Sequence, residues 1–128
     1  MNYNKNISNT LQDYLEAVLN LTEKHNTVRI TDLAFYMQVA KPTVTETIKN
    51  LTAQELVKHE KYGPLELTKK GYEQALKIRY RHKVLERFLV HVLGVDSETA
   101  NHEACLMEHA ISAETTDKLV QFLEETLN

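Results

Sequence analysis

The sequence predicts a mainly α-helical protein, with a winged helix-turn-helix over residues 1–72 and a helical half over residues 73–128. Three observations lead there. Apolar residues recur at the helical period through most of the chain. A helix, a short helix, a turn, a helix and a hairpin follow one another in the order of a winged helix-turn-helix. Beyond the hairpin the spacing returns to helical and stays so, with no internal repeat and no low-complexity segment.

Ile7, Leu11, Tyr14, Leu15, Val18 and Leu21 or Thr22 mark one face of a first helix over about 7–24. After the polar break His25-Asn26-Thr27, Val28-Arg29-Ile30 reads as a short strand or extended lead-in. Thr31 is placed to cap a short second helix through about Met37, with Asp32 in its first turn where a carboxylate suits the helix dipole. Gln38-Val39-Ala40-Lys41 makes the turn, and Pro42 opens a third helix at a position where its missing N–H does no harm. That helix runs to about Gln54 with Val44, Ile48 and Leu51 inward.

Val57–Tyr62 and Leu65-Glu66-Leu67 alternate as strands around the turn pair Gly63-Pro64. Thr68 then caps a long helix from Lys69 to Leu93, whose apolar face carries Leu76, Val84, Leu85, Phe88, Leu89 and Val92 before Gly94 ends it. Asp96 or Ser97 caps a fifth helix to about Ala110. Ser112 precedes a sixth, which holds Leu119, Val120, Phe122 and Leu123. Leu85, Phe88, Leu89 and Val92 read either as dimer contacts or as an intrachain core.

A winged helix-turn-helix sets its third helix in the major groove of double-stranded DNA while the hairpin reaches neighbouring phosphates. The third helix would present Lys41, Pro42, Thr43, Thr45, Glu46 and Lys49, and the hairpin Lys58 and Lys61. Hydroxyls at a helix start can bond phosphates or base edges, and a proline can pack on a thymine methyl. Glu46 is either an acceptor for cytosine N4 or a solvated helix charge. The net charge of −3 excludes a binder that works by bulk positive charge. Between Thr27 and Tyr72, however, seven basic residues face five acidic ones, so the middle is mildly basic and the remainder acidic.

No apolar run approaches the roughly 18–20 residues that a membrane span needs. A single cysteine among 128 residues cannot form an internal disulfide, which suits a reducing cytoplasm. Cys105, Glu108 and His109 stand at i, i+3 and i+4, one helix face, and all three residue types bind transition metals. The plainer alternative is a core cysteine beside a solvated Glu–His pair. Asp13 with Glu16 and His82 with Glu86 are weaker pairs of the same chemistry. An enzyme using Cys105 and His109 as nucleophile and base is disfavoured: they share one helix turn, no oxyanion-hole loop is evident, and glycine is scarce. No small-molecule substrate is expected.

Several stretches together resemble the iron- and manganese-dependent repressors related to diphtheria toxin repressor, particularly the manganese-transport-regulator branch. They are Asp13-Tyr14-Leu15-Glu16-Ala17, Lys41-Pro42-Thr43-Val44-Thr45-Glu46, Leu67-Thr68-Lys69-Lys70-Gly71, the long-helix run Tyr80–Leu89, and His102–Ser112. The resemblance covers nearly the whole chain and is most specific in the last two. It implies a winged helix-turn-helix followed by a helical metal-binding and dimerisation domain, in the form without the family's optional SH3-like domain. It implies a metal-activated homodimeric repressor of metal-uptake genes, partnered by operator DNA. By position, Asp13, Glu16, His82, Cys105, Glu108 and His109 would be the metal ligands.

The chain is a hybrid within that family. The manganese branch usually has glutamate where Cys105 stands, and the iron branch has cysteine. The iron branch in turn has methionine in place of Asp13 and lacks the acid of Glu16. Asn101 stands where the iron branch has an ancillary-site histidine, although Glu86 keeps its place. Sulfur favours Fe²⁺, Co²⁺, Ni²⁺ or Zn²⁺, while the carboxylates favour harder ions. The expected cofactor is Mn²⁺ or Fe²⁺, with fewer than two fully occupied ions per subunit unless Cys105 bridges. A winged-helix regulator that senses no metal is the alternative.

Overall fold

The computed structural model describes residues 8–127, which form six α-helices, a π-helical turn and a two-stranded sheet. They divide into two compact units, Ser8–Leu76 and 77–127. Ile7, the first residue of the predicted apolar stripe, lies outside the described residues.

In the first unit, α1 (Asn9–His25) starts at Ser8, whose hydroxyl accepts the Leu11 N–H at 3.2 Å. It buries Leu11, Tyr14, Leu15, Ala17, Val18, Leu19 and Leu21, a band wider than one stripe because α2 and the sheet pack on it from different sides. α2 (Ile30–Met37) begins two residues earlier than a cap at Thr31 would set it. Its cap residue is Arg29, whose backbone N–H donates to the Asp32 carboxylate at 2.9 Å. A carboxylate at the third helical position reaches back to the cap N–H, so Asp32 acts here where a hydroxyl at 31 was expected. The Asn20 amide donates to the Tyr36 hydroxyl at 3.2 Å, tying α1 to α2.

α3 (Lys41–Ala53) carries Pro42 in its first turn and buries Val44, Ile48 and Leu51. Each aliphatic side chain fully buried in this way contributes about 1.5–3 kcal/mol. β1 (Val57–His59) and β2 (Leu65–Leu67) pair antiparallel, with Val57 opposite Leu67 and His59 opposite Leu65. Val28 is no strand; it adds one bridge to Leu65, whose N–H donates to its carbonyl at 2.6 Å. The wing turns where the Gly63 N–H donates to the Glu60 carbonyl, with Tyr62 in the left-handed region at φ 62°.

α4 (Lys69–Arg87) is laid onto the exit of α3 by one residue. The Thr68 hydroxyl donates to the Glu55 carbonyl at 2.7 Å and accepts the Gly71 N–H at 2.9 Å, while its backbone N–H reaches the Leu56 carbonyl. The approach is so close that a β-carbon on Gly71 would collide with the Leu56 carbonyl. That contact, rather than a turn, is why glycine stands inside a helix.

The second unit holds the C-terminal part of α4, then α5 (Ser97–Ala110) and α6 (Ala113–Leu127). The long helix stays α-helical only to Arg87, and Phe88–Val92 is a π turn, closed by the Leu93 N–H on the Phe88 carbonyl. An α-turn would have set Leu93 over Leu89. The wider turn keeps Leu89 in the core and swings Val92 and Leu93 out, Leu93 to 58% exposure. Gly94, at φ 75°, then reverses the chain so that the Val95 N–H meets the Leu89 carbonyl.

Val84, Leu85, Leu89, Ala100, Ala104, Val120 and Leu123 form the core of this unit, with Phe88 packed against it. Leu85 and Leu89 are therefore intrachain core rather than dimer contacts, and Val92 faces out. Leu76 is largely exposed, its place on the inner face of α4 taken by Ala75 and Ile78. Phe122, expected inward, is 61% exposed, because the inner face of α6 runs through Thr116, Val120 and Leu123. Thr116 can be buried because its hydroxyl donates to the Ser112 carbonyl. Arg81, 8% exposed, is paired with Asp117, and the Tyr80 hydroxyl donates to Glu124, a bond that holds its pKa above the ordinary tyrosine value. Asp96 accepts from Thr99 at the start of α5, which lowers its carboxyl pKa.

Gly71→Ala is expected to destabilise the protein by about 1–3 kcal/mol, the usual cost of overpacking a tight contact. An exposed helical Gly→Ala would instead stabilise, so urea denaturation distinguishes the two by sign.

Candidate nucleic-acid interface and metal centre

In the first unit, α3 and the wing flank an open cleft of about 770 Å³. Lys41, Thr45 and Lys49 line it from α3, His59, Lys61, Tyr62 and Gly63 from the wing, and Arg29, Ile30 and Thr31 from the start of α2. Four of these side chains are formal cations and none is a carboxylate, so the cleft is a positive trough in a chain of net negative charge. Of the expected DNA contacts, Lys41, Thr45, Lys49 and Lys61 are brought together here. Pro42, Thr43 and Glu46 are exposed on α3 beside the cleft. Lys58 lies off it, outward on β1 opposite Glu66 in the ladder.

The structure adds Arg29, Thr31, His59 and Tyr62. Arg29 carries the most information: one guanidinium nitrogen donates to the Tyr62 carbonyl at 3.2 Å, joining the α2 start to the wing tip across 33 positions of sequence. Nothing local in the sequence encodes that reach. His59 had a readable signal, since it follows Lys58 on a strand and so takes the other face. At the tip Lys61 stacks over the Tyr62 ring, 5.3 Å from its centre, and Tyr62 is 87% exposed. A cation held over an aromatic ring suits contact with phosphate and sugar.

In the second unit, α5 brings Cys105, Glu108 and His109 to one face, as their spacing requires. Cys105 Sγ and His109 Nε2 are 3.9 Å apart. His82, on α4, lies with Nδ1 3.5 Å from Glu108 Oε1 and Nε2 2.8 Å from Asn101 Oδ1. The His82 and Glu108 side chains are only 13% and 9% exposed, and Cys105 and His109 are half-buried. Thiol, imidazole and carboxylate are ligands in their lone-pair forms, and two atoms sharing an ion at about 2.0–2.3 Å stand roughly 3–4 Å apart. The donor set therefore fits a divalent transition metal. Asp13 and Glu16 are half-buried on α1, in the first unit. Glu86 pairs with Lys83 at 3.8 Å. Asn101, passed over as a missing ancillary ligand, instead engages His82; its spacing of four before Cys105 was the available signal.

Two family descriptions match the chain: the iron dependent repressor N-terminal DNA binding domain over residues 6–65, and the iron dependent repressor metal binding and dimerisation domain over residues 68–126. An HTH-type transcriptional regulator of Methanocaldococcus jannaschii is 38% identical over 120 residues, which are 93% of this chain and 96% of that protein. The HTH-type transcriptional regulator MntR of Bacillus subtilis is 34% identical over 119 residues, 91% of this chain and 83% of that protein. Among solved structures, a manganese-dependent transcriptional repressor in complex with manganese superposes with a TM-score of 0.76 at 34% identity. That match covers 89% of this chain and 52% of that one, so the chain spans about half the length of the solved relative. Among the described residues, no helix is long and apolar enough to cross a membrane.

Arg29→Ala is expected to speed amide exchange across the wing tip while changing global stability by less than about 1.5 kcal/mol, the net worth of one hydrogen bond. Exchange at Lys61–Gly63 that matched the parent protein would show that the wing holds itself.

Proposed function

The chain belongs to the iron dependent repressor family, and from that premise we propose that it is a metal-activated transcriptional repressor controlling manganese or iron uptake in the cytoplasm. The observation that supports this best is the pairing of His82 with Glu108 and Cys105 with His109, a donor set that an ordinary helical domain has no reason to assemble. The second is the cation-lined cleft between α3 and the wing.

When bound, a divalent ion supplies two positive charges and directional ligation. His82, Cys105, Glu108 and His109 would hold it from α4 and α5, and Asp13 and Glu16 would add carboxylates from α1. Uncompensated, these carboxylates repel one another; compensated, they restrain α1. α1 packs on α2 and β2, and α2 packs on α3, so restraint of α1 narrows the positions open to the reading helix. A homodimer must present its two α3 helices one helical turn of DNA apart, roughly 34 Å, or a multiple of it. A narrower spread of geometries raises affinity for the operator, and by linkage the operator tightens metal binding by the same factor.

On DNA, Lys41, Lys49, Lys58 and Lys61 meet phosphates, while Pro42, Thr43, Thr45 and Glu46 stand where base edges are read. Val92, Leu93, Leu106 and Phe122 leave apolar surface on the second unit for a second copy. The reading makes no use of Cys105 as a nucleophile, and no enzymatic turnover is expected.

Selection of binding sites from random duplex DNA, run with Mn²⁺, Fe²⁺ or chelator, tests the proposal. Retention should require the metal; equal retention in chelator would favour a regulator that senses none. Lys49→Ala and Lys61→Ala should each lower the slope of log affinity against log salt by about 1, the signature of one lost phosphate contact. Anaerobic protein should hold fewer than two Mn²⁺ tightly per chain, because a thiolate at position 105 bridges hard ions poorly. A count of two tightly held ions contradicts that part.

A further inference from the structure

His82 is gripped from two sides within the second unit. Asn101, Cys105 and Glu108 stand at i, i+4 and i+7 on α5, and so form one stripe of its surface. Against that stripe His82 sets its two ring nitrogens on different partners, Nε2 on Asn101 Oδ1 at 2.8 Å and Nδ1 by Glu108 Oε1 at 3.5 Å. A side-chain carbonyl has lone pairs and no proton, so the ring nitrogen facing it must carry the hydrogen. In the neutral imidazole the other nitrogen then has the lone pair. We infer that Asn101 is a positioning residue for the metal ligand His82: its carbonyl accepts the Nε2–H, fixes that tautomer, and turns the Nδ1 lone pair to the side where Glu108 stands.

This inference rests on the metal-activated reading and deepens it. Metal-bound histidines generally donate their second N–H to an acceptor that sets tautomer and ring angle, and a carboxylate in that place makes the ligand more basic. Asn101 supplies the same geometry without the charge. His82 is thereby oriented, and the ion is held less tightly than a carboxylate at 101 would hold it, which keeps the site releasable.

Asn101→Ala and Asn101→Asp test it, read in two ways. Asn101 is exposed, so both variants are expected to fold, and thermal melts check that they do. In metal-free protein, at a pH high enough that the ring is neutral, ¹⁵N shifts of the His82 ring should report the Nε2–H form in the parent and in Asn101→Asp. Asn101→Ala should show a mixture. Calorimetric titration with Mn²⁺ under anaerobic conditions should find Asn101→Ala about 10- to 100-fold weaker and Asn101→Asp at least as tight as the parent. If the parent binds Mn²⁺ and Asn101→Ala keeps both its tautomer and its affinity, the role of Asn101 falls and the repressor reading stands. If the parent binds neither Mn²⁺ nor Fe²⁺, the repressor reading falls and takes this role with it.

Discussion

Two lone-pair donors that share a small, water-poor space need a proton or a cation between them. His82 and Glu108 are in that position, mostly buried and 3.5 Å apart, on helices that the core of the second unit holds together. Beside them on the same turn of α5 stand a thiol and a second imidazole. Other polar groups on these helices are already committed: Tyr80 bonds Glu124, and Arg81 is paired with Asp117. Consecutive residues of α4 thus divide their work, two fastening α6 and the third turning to α5. The metal chemistry depends on that division, since a ligand on an unfastened helix would not hold its place.

The reading head depends on contacts of a different kind, short and mostly to backbone. Thr68 and Gly71 press the start of α4 against the Leu56 carbonyl, and Arg29 ties the start of α2 to the carbonyl of Tyr62 at the wing tip. A two-stranded wing alone is marginally stable. Here it is supported at one end by the Val28 bridge and at its tip by a guanidinium. The same segment that opens α2 therefore also places Lys61 and Tyr62. Its cationic lining gives a chain of net charge −3 one surface suited to a polyanion.

Cys105 puts sulfur among the nitrogen and oxygen donors of the second unit. A sulfur ligand beside the Glu108 carboxylate and the imidazoles of His82 and His109 draws preference in opposite directions along the series of divalent metals, so selectivity has to come from geometry and supply. An uncharged amide behind His82 moderates affinity, so that an ion can leave when its concentration falls.

Much of the architecture was legible in one dimension because it depends on local periodicity and local chemistry. Helical spacing located the helices, Pro42 and Gly94 marked a start and a stop, and the i, i+3, i+4 triplet on α5 needed only the geometry of a helix. What escaped was whatever depends on a partner far along the chain or on a small change of helical pitch. The π turn at Phe88–Val92 moved Val92 out of a stripe that extrapolation had carried on. Phe122 faces outward because α6 could bury a hydroxyl, Thr116, once Ser112 accepted its proton. Residue type and spacing thus determined which side chains could be ligands, caps or core. Only tertiary packing decided which helix His82 would face, which ring nitrogen Asn101 would take, and that Arg29 would hold the wing, because each joins groups that the chain keeps far apart until it folds.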